Sequence, residues 1–296
     1  MAVLQTKQSS YFYFFVFGLL LLSTLLVAPV QANEPPPVRF GVLSIAQPAR
    51  IFAQWAPFVK YLEKQLGRQV VMVVPKGFDK MERAVVNREV DFFYVNSYVF
   101  YRLKQEDHAI AVGQMQNING KVVSQSEFFV RADSGINSVA ELDGRSIAFV
   151  SPMGAGGYLA PRAYLNIQGI KVSKKIKEVF TKNLTTSLHQ VLLGDVDAGA
   201  MCGVNYILMA KKVDTGELKI IGMSDVYPEA VIAARSGLEP TLIQRFTDIV
   251  VNMDQNKAGK RVLSGMYDMK IDSFVPYQDE IERITESLLK EAGLEL

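Results

Sequence analysis

Cysteine and histidine are scarce in this 296-residue chain, which has one cysteine, Cys202, and two histidines, His108 and His189. A single cysteine cannot form an intramolecular disulfide, so the fold has to be stabilised by its core. Neither histidine belongs to an H-E-x-x-H pair, and the sequence contains no G-x-S-x-G or C-x-x-C motif. These absences argue against a zinc, serine or dithiol enzyme. We therefore expect no catalytic activity, no metal and no cofactor.

A strong net charge is also lacking. The 32 lysine and arginine residues nearly balance the 30 aspartate and glutamate residues, and the formal charge at pH 7 is +2. Such a chain presents no general electrostatic field for nucleic acid or for an acidic membrane surface. We expect no nucleic-acid partner, and we expect the protein to be a monomer.

Charged residues are almost missing from the first thirty positions, where Lys7 is the only one before Glu34. The apolar run 11–30 leads into Val30-Gln31-Ala32, an ending that suits signal peptidase. We predict that residues 1–32 are a signal peptide, cleaved after Ala32, and that the protein is exported to the periplasm. An uncleaved anchor is the alternative, because the run is about as long as the ~20 apolar residues that span a bilayer.

The rest of the chain alternates short apolar runs with amphipathic segments, the pattern of parallel α/β layers. We predict strands at 38–45, 70–74, 91–95, 127–131, 146–150, 177–180, 198–202, 220–223 and 231–235. We predict helices at 48–66, 79–87, 97–104, 155–168, 184–193, 238–251, 256–264 and 277–292. The element order of the first half recurs in the second, which indicates two lobes.

Each half contains an aspartate followed by a buried strand and a small or polar exit, "VDFFYVNS" and "VDAGAMCG". Open α/β sheets bind ligands beyond the carboxyl ends of their strands, so two facing lobes would form a cleft. In the first half the candidate ligand residues at strand exits are Gln47, Tyr94, Asn96 and Ser97. The alternative is structural: Tyr94 as a core aromatic and Ser97 as a helix N-cap.

Four blocks carry a resemblance to a known family: "RFGVLSIAQPARIFAQWAPFVKYLEKQLG", "REVDFFYVNSYVF", "FFVRADSGINSVAELDGRSIAFVSPMGAGGYLAPRAYL" and "LLGDVDAGAMCGVNY". Together they resemble the phosphonate-binding family of periplasmic solute-binding proteins of ABC importers. The resemblance implies a two-lobed type II periplasmic binding protein with a hinge of two crossover strands, near 129–132 and 222–225. It also implies a first lobe at 33–131, a second at 132–222, and a return to the first lobe with C-terminal helices at 223–296.

The small residues of "SPMGAGGYL" stand between a predicted strand and a predicted helix. A helix N-terminus has unpaired N–H groups and a partial positive charge, and glycine lets the backbone approach an anion closely. The alternative is that the glycines only form the turn or allow tight packing. The candidate ligand residues here are Ser151, Gly154, Ala155, Gly156 and Gly157.

The chain departs from the resembled family at positions that contact the ligand. Serine or threonine is common at this helix start in the family, whereas 153–157 read Met-Gly-Ala-Gly-Gly. The family's histidine and acid are replaced in 181–186, where Asn183 and Thr185 are our candidates, and the acid expected after "VDAGA" is absent. An aminoalkyl phosphonate is therefore disfavoured. We expect a small phosphonate-like or phosphate-like oxyanion.

Cys202 ends the strand 198–202 at an exit expected to face the cleft. It is either a buried small residue or a thiol that contacts the ligand, and arsenite would suit a thiol. The partner is an ABC importer permease or, alternatively, a membrane histidine kinase to which the protein reports its ligand. The sequence does not distinguish these partners.

Overall fold

Two β-sheets with helices on their faces make up the computed structural model, which describes residues 35–43 and 48–294. The strands are β1 Val38–Val42, β2 Val70–Val73, β3 Phe92–Val95, β4 Ala109–Asn117, β5 Val123–Ser124, β6 Ser126–Arg131, β7 Ser146–Phe149, β8 Lys177–Phe180, β9 Ala198–Cys202, β10 Leu218–Met223, β11 Tyr227–Pro228, β12 Val231–Arg235 and β13 Ile271–Val275. The α-helices are α1 Pro48–Leu66, α2 Phe78–Val86, α3 Ser97–Gln105, α4 Ala160–Ile167, α5 Val172–Lys175, α6 Leu184–Leu192, α7 Gly203–Ala210, α8 Pro240–Val251, α9 Lys257–Met266 and α10 Glu280–Ala292. A π-helical turn, Ala155–Leu159, precedes α4, and short 3₁₀ turns lie at Val139–Leu142, Met253–Gln255 and Tyr267–Met269.

Each sheet combines parallel with antiparallel strand pairs. The first-lobe sheet has the order β13-β4-β12-β3-β1-β2, with β1 parallel to β2 and β3 and with β12 and β13 antiparallel to their neighbours. The second has the order β10-β6-β9-β7-β8, with β7 parallel to β8 and β9. The predicted two-lobed α/β architecture is confirmed. The sheets are mixed rather than wholly parallel because strands entering from the other lobe run in the opposite direction.

Most predicted elements lie within one or two residues of the observed ones, and α1 shows why. Its apolar residues recur at three- and four-residue spacing, which buries Trp55, Phe58 and Leu62 against the first sheet. The helix ends where Gly67 adopts φ 63°, a left-handed conformation that costs glycine little. The helix therefore ends at the residue predicted from the sequence, Leu66.

In each lobe an aspartate directly before a strand, β3 or β9, bonds to the neighbouring strand. Asp91 Oδ2 accepts a hydrogen bond from the Arg39 N–H at 2.9 Å, and Asp197 Oδ2 accepts one from the Ser146 N–H at 2.8 Å. Asp91 also pairs with the guanidinium groups of Arg39 and Arg235. The recurring "VD" therefore joins neighbouring strands in both lobes. Burial alone would raise the pKa of Asp91, but the hydrogen bonds and charges of the two arginines outweigh it and hold the pKa below its ordinary value.

Replacing Asp91 with asparagine should lower the free energy of unfolding by about 2 kcal/mol, because two arginines lose a largely buried partner. Since the folded-state pKa is lowered, this contribution is present above the ordinary aspartate pKa of about 3.9 and is lost as the pH falls through the folded-state value. Urea denaturation at neutral and acidic pH measures it. Asp133→Asn, in an exposed pair with Arg131, is the control and should change little. A wild-type-like Asp91→Asn curve at neutral pH would contradict the anchoring role.

The two crossovers between the lobes pass through a small separate sheet in which β5 pairs with β11, Ser124 opposite Tyr227. The hinge of two crossover strands is as predicted, but the location of its first strand near 129–132 is wrong. Phe129 is fully buried inside the second sheet, because β6 pairs with β9 there. The first lobe therefore ends before 126, one strand earlier than the boundary predicted at 131. The second crossover, predicted at 222–225, lies beside β11.

The C-terminal helix contacts both lobes. Arg162 Nε on α4 donates to the Ala292 carbonyl at 2.8 Å, and Lys104 on α3 pairs with Glu282. Leu288 and Leu289 pack in one cluster with Tyr98 of α3 and Leu159 before α4. Residues 280–292 therefore connect the lobes on one side. No helix within 35–43 or 48–294 has both the length and the apolar character needed to span a membrane. The predicted signal peptide lies outside the described residues.

Candidate functional site

A cavity of about 320 Å³ lies between the lobes. The exits of β3, β7 and β9 open onto it, together with the starts of the helices that follow them and the hinge strand β11. Eight of the twelve residues predicted for the site line this cavity: Tyr94, Asn96, Ser151, Gly154, Ala155, Gly156, Gly157 and Cys202. Ser97, Asn183 and Thr185 are not among its lining residues. Gln47 lies outside the described residues.

The glycine-rich helix start presents free donors to the cavity. The first bond of the π-helical turn joins the Leu159 N–H to the Gly154 carbonyl at 2.9 Å. The N–H groups from Ala155 to Tyr158 precede it and have no partner among the described residues. Gly154 occupies the N-cap position and has no side chain with which to satisfy them. The wider π turn, which adds a donor to the usual first turn, is a feature frequent at functional sites.

Gly156 and Gly157 differ in the space around them. A Cβ added at Gly156 would overlap the ring of Tyr227, so this glycine permits β11 to pack on the helix start. A Cβ at Gly157 would meet no atom within 4 Å, and Gly157 does not have a positive φ. Packing therefore explains Gly156, whereas neither packing nor backbone conformation explains Gly157. Open space beside free N–H groups is what a ligand at this helix would require.

Two asparagines at strand exits cap helices. Asn96 Oδ1 accepts from the Val99 N–H at 2.9 Å, while its Nδ2 donates to the Met153 carbonyl of the other lobe at 3.0 Å. Asn183 Oδ1 accepts from the N–H groups of Thr185 and Thr186. One donor at the start of α3 and two at the start of α6 are thus used within the protein. The expectation that Asn183 reaches the cavity is not met, because its side chain is turned back onto its own helix.

The hydroxyls predicted for the ligand are also bonded within the protein. Ser97 Oγ is buried and donates to the Pro228 carbonyl at 2.8 Å. Tyr94 Oη donates to Met115 Sδ at 3.1 Å, and Thr185 Oγ1 donates to Met209 Sδ at 3.7 Å. Tyr94 also packs against Trp55, with ring centroids 4.7 Å apart. Among the predicted hydroxyls, Ser151 is the one that lines the cavity beside the glycine-rich helix.

Cys202 is the N-cap residue of α7 and lines the cavity. Burial and the charge of nearby Glu229 raise the pKa of its thiol to about 11, against weaker opposing effects from Tyr227 and from the backbone N–H groups of Val204 and Asn205. At neutral pH the thiol is therefore protonated and a poor nucleophile. Cys202 is partly buried and borders the cavity, and its contact with a ligand stays a prediction.

Glu229 is a cavity residue that the sequence did not reveal. It is 6% exposed, and its Oε1 accepts from Asn117 Nδ2 at 3.0 Å and from the Ser124 hydroxyl. Burial raises its pKa above the ordinary glutamate value, although these two hydrogen bonds act in the opposite direction. It has no cationic partner in the described part of the chain. Glu229 directly follows β11, and only the crossover geometry brings this acid to the cleft.

The cations that line the cavity, Arg50 and Lys212, are both exposed. No group of three or more histidine, cysteine, aspartate or glutamate side chains in the described ranges could hold a metal ion. The site therefore consists of backbone donors on one side, a buried acid at the hinge, and apolar side chains over most of the remaining wall. Such a cavity can hold an anion by hydrogen bonds from the helix start.

Two lobes joined by two crossovers, with a cleft at the strand exits, define a two-lobed type II periplasmic binding protein. Residues 40–281 match the family described as "ABC transporter, phosphonate, periplasmic substrate-binding protein". The chain belongs to this family, whose members are binding proteins of the periplasm. The resemblance inferred from the four sequence blocks is thereby confirmed.

Three relatives illustrate the similarity. The phosphate-import protein PhnD of Mycolicibacterium smegmatis is 26% identical over 224 residues, 71% of this chain and 70% of that protein. The structure of PhnD1 from Prochlorococcus marinus in complex with methylphosphonate superposes with a TM-score of 0.74 at 17% identity, covering 86% of this chain and 98% of that one. The tetrathionate sensor histidine kinase TtrS of Salmonella typhimurium is 26% identical over 145 residues, 48% of this chain and 24% of that protein.

Proposed function

We propose that this protein captures a small oxyanion of the phosphonate or phosphate type between its lobes and delivers it to an ABC importer. The observation that carries the proposal is the uncapped helix start at Gly154, whose free N–H groups border the cavity. Backbone donors and the helix dipole together attract an anion without a buried cation. The protein acts by binding alone, as a monomer, and its ligand undergoes no reaction in the cleft.

In this proposal the protein is exported to the periplasm, where it meets its ligand. Residues 1–32 are removed as a signal peptide after Ala32, which leaves Asn33 as the first residue of the mature protein. The family membership supports a periplasmic location.

A role as the sensing partner of a membrane histidine kinase is the second candidate, and the similarity to part of TtrS favours it. In that role the cleft would report its ligand rather than deliver it. Deleting the gene separates the two roles, because an importer component is required for uptake and a sensor component for a transcriptional response. An arsenite-like ligand is less well supported, since Cys202 is the chain's one cysteine and its thiol is protonated.

Calorimetry with methylphosphonate, inorganic phosphate and chloride, on the purified mature protein, tests the anion-binding proposal. We expect saturable binding of at least one of the two phosphorus oxyanions and none of chloride at comparable concentration. A ligand at one hundred times its dissociation constant should stabilise the fold by about 2.7 kcal/mol, which a thermal melt would register. Failure of both oxyanions to bind or stabilise the protein would contradict the proposed function.

A further inference from the structure

We propose that the hydroxyl of Tyr227, on the hinge strand β11, donates a hydrogen bond to the oxyanion held at the glycine-rich helix start. The inference rests on the proposed anion-binding function and adds a side chain that contacts the ligand. Tyr227 is not one of the twelve residues predicted from the sequence. Its role as a donor gives the hinge a direct contact with the bound anion.

Tyr227 lines the cavity and has an unsatisfied polar atom. The residue is 4% exposed, and its Oη has no hydrogen-bond partner among the described residues. Cys202 and Ser124 lie close enough to affect its pKa, but neither is in hydrogen-bond geometry with it. Of the buried side-chain polar atoms without such a partner in 35–43 and 48–294, this oxygen alone belongs to a cavity-lining residue.

A buried hydroxyl without a partner is unfavourable. It loses its hydrogen bonds to water on folding and gains none in return, which is why the large majority of buried polar atoms in proteins are paired. A phenylalanine at position 227 would pack the same ring without this cost. Packing therefore explains the ring of Tyr227 but not its oxygen, whereas a ligand that accepts a hydrogen bond explains both.

The hydroxyl lies next to the free donors of the helix start. A Cβ built on Gly156 would be 2.4 Å from Tyr227 Oη, so the hydroxyl end of the ring lies over this glycine. The N–H groups from Ala155 to Tyr158 have no partner in the part of the chain that the structure describes. An anion that accepts hydrogen bonds from these N–H groups would therefore have the Tyr227 hydroxyl beside it, as a donor from the hinge.

The hydroxyl is in the right protonation state to donate. Burial raises the pKa of Tyr227 well above its ordinary value, and nearby Cys202 and Glu229 add to this effect. At neutral pH the oxygen therefore carries its proton. The second tyrosine at the cavity differs, because Tyr94 Oη already donates to Met115 Sδ. A free hydroxyl distinguishes Tyr227 from Tyr94.

The variant Tyr227→Phe tests the inference, because it removes the hydroxyl and keeps the ring that packs on Gly156. We would measure its dissociation constants for methylphosphonate and inorganic phosphate by calorimetry on the mature protein. Binding of the oxyanion that wild type prefers should weaken at least tenfold, as expected for losing a hydrogen bond to a charged group. Without ligand, the unfolding temperature should rise by about 2–4 °C, because the variant no longer buries an unpaired hydroxyl.

Tyr101→Phe is the matched control. Tyr101 belongs to the same apolar cluster as Tyr227 and is 7% exposed, but it does not line the cavity. The control loses the same atom from a similarly buried position, so it should bind the oxyanion as tightly as wild type.

Unchanged affinity in Tyr227→Phe, or an equal loss in both variants, would overturn the inference while leaving the anion site intact. An unfolding temperature below that of wild type would also overturn it, because the hydroxyl would then form a stabilising bond within the ligand-free protein. Failure of the wild-type protein to bind either oxyanion would instead overturn the proposed function, and this inference with it.

Discussion

Valine at position 157 is expected to weaken oxyanion binding by more than about 100-fold while the protein remains folded. Gly157 lines the cavity beside the free N–H groups of the helix start, and its added side chain would enter open space. That space is where the proposed anion accepts its hydrogen bonds. Losing hydrogen bonds to a charged group costs about 1.5–3 kcal/mol each, so blocking two of them accounts for the size of the effect. Calorimetry with methylphosphonate measures it.

The smaller change Gly157→Ala separates binding from folding. Alanine at a helical glycine without positive φ should raise the free energy of unfolding by about 0.5–1 kcal/mol, because the unfolded chain loses freedom. Gly265→Ala in α9 is the matched control, since a Cβ there also meets no atom within 4 Å. Both variants should be at least as stable as wild type, and only Gly157→Ala should bind less tightly. Unchanged affinity in a folded Gly157→Val protein would remove the anion from this helix.

Gly156 cannot serve in this test, although the sequence gives no reason to prefer one glycine over the other. Its added Cβ would overlap Tyr227, a residue of the hinge strand, so even alanine perturbs the packing between β11 and the helix. The packing interpretation of "GAGG" therefore applies to Gly156, and the anion-site interpretation stays a prediction for Gly157. Only a contact between positions far apart in the chain distinguishes Gly156 from Gly157.

Elements with regular apolar patterns could be predicted from the sequence, and those with polar interiors could not. The strands Lys177–Phe180 and Ala198–Cys202 and the helix Pro48–Leu66 are as predicted. The longest strand, Ala109–Asn117, was missed because its apolar pattern is interrupted by Gln114 and Asn117, which are nevertheless buried. Their amides bond Glu229 across the crossover, at its carbonyl and at its Oε1. Hydrophobic periodicity cannot predict this pairing, because its partners lie far apart in the sequence.

In the candidate site, too, the features that depend on local sequence were predicted and those that depend on long-range contacts were not. Strand exits and the glycine-rich helix start were identified because both depend on local sequence, and eight of twelve predicted residues line the cavity. Asn183 and Thr185 were placed at the right exit, but their side chains bond their own helix and a methionine sulfur. The position of Glu229 at the cavity depends on how the lobes meet. No local pattern contains that information.

Oxyanion affinity should fall as the pH rises through the folded-state pKa of Glu229, and Glu229→Gln should abolish this dependence. Burial raises the pKa of Glu229, so its charge appears only above the ordinary glutamate range. Once ionised, the carboxylate lies at the same cavity as the anion and forms no ion pair among the described residues. Like charges in a partly buried site repel by roughly 1–2 kcal/mol, which corresponds to a loss of affinity on the order of tenfold.

The raised pKa of Glu229 also makes the free energy of unfolding of the ligand-free protein depend on pH. Because the folded-state pKa is raised, the neutral carboxyl's contribution is complete below the unfolded-state pKa of about 4.3 and is lost as the pH rises through the folded-state value. Glu229→Gln keeps an acceptor for Asn117 and Ser124 and cannot ionise. Its unfolding temperature should match wild type at pH values below the unfolded-state pKa and exceed it above the folded-state pKa of Glu229. Glu286→Gln, on the exposed face of α10, should follow the wild-type curve.

Methanesulfonate is the appropriate probe for the affinity measurement, because a sulfonate stays singly charged where a phosphonate would itself titrate. Wild-type affinity should decline with rising pH, while Glu229→Gln should bind with constant affinity that equals wild type at the acidic end. Since the amide has nearly the shape of the carboxyl group, a difference confined to pH values above the folded-state pKa of Glu229 isolates charge from packing. Parallel pH profiles for the two proteins would show that the anion lies too far from Glu229 to sense its charge, and would move the bound headgroup toward the mouth near Arg50 and Lys212.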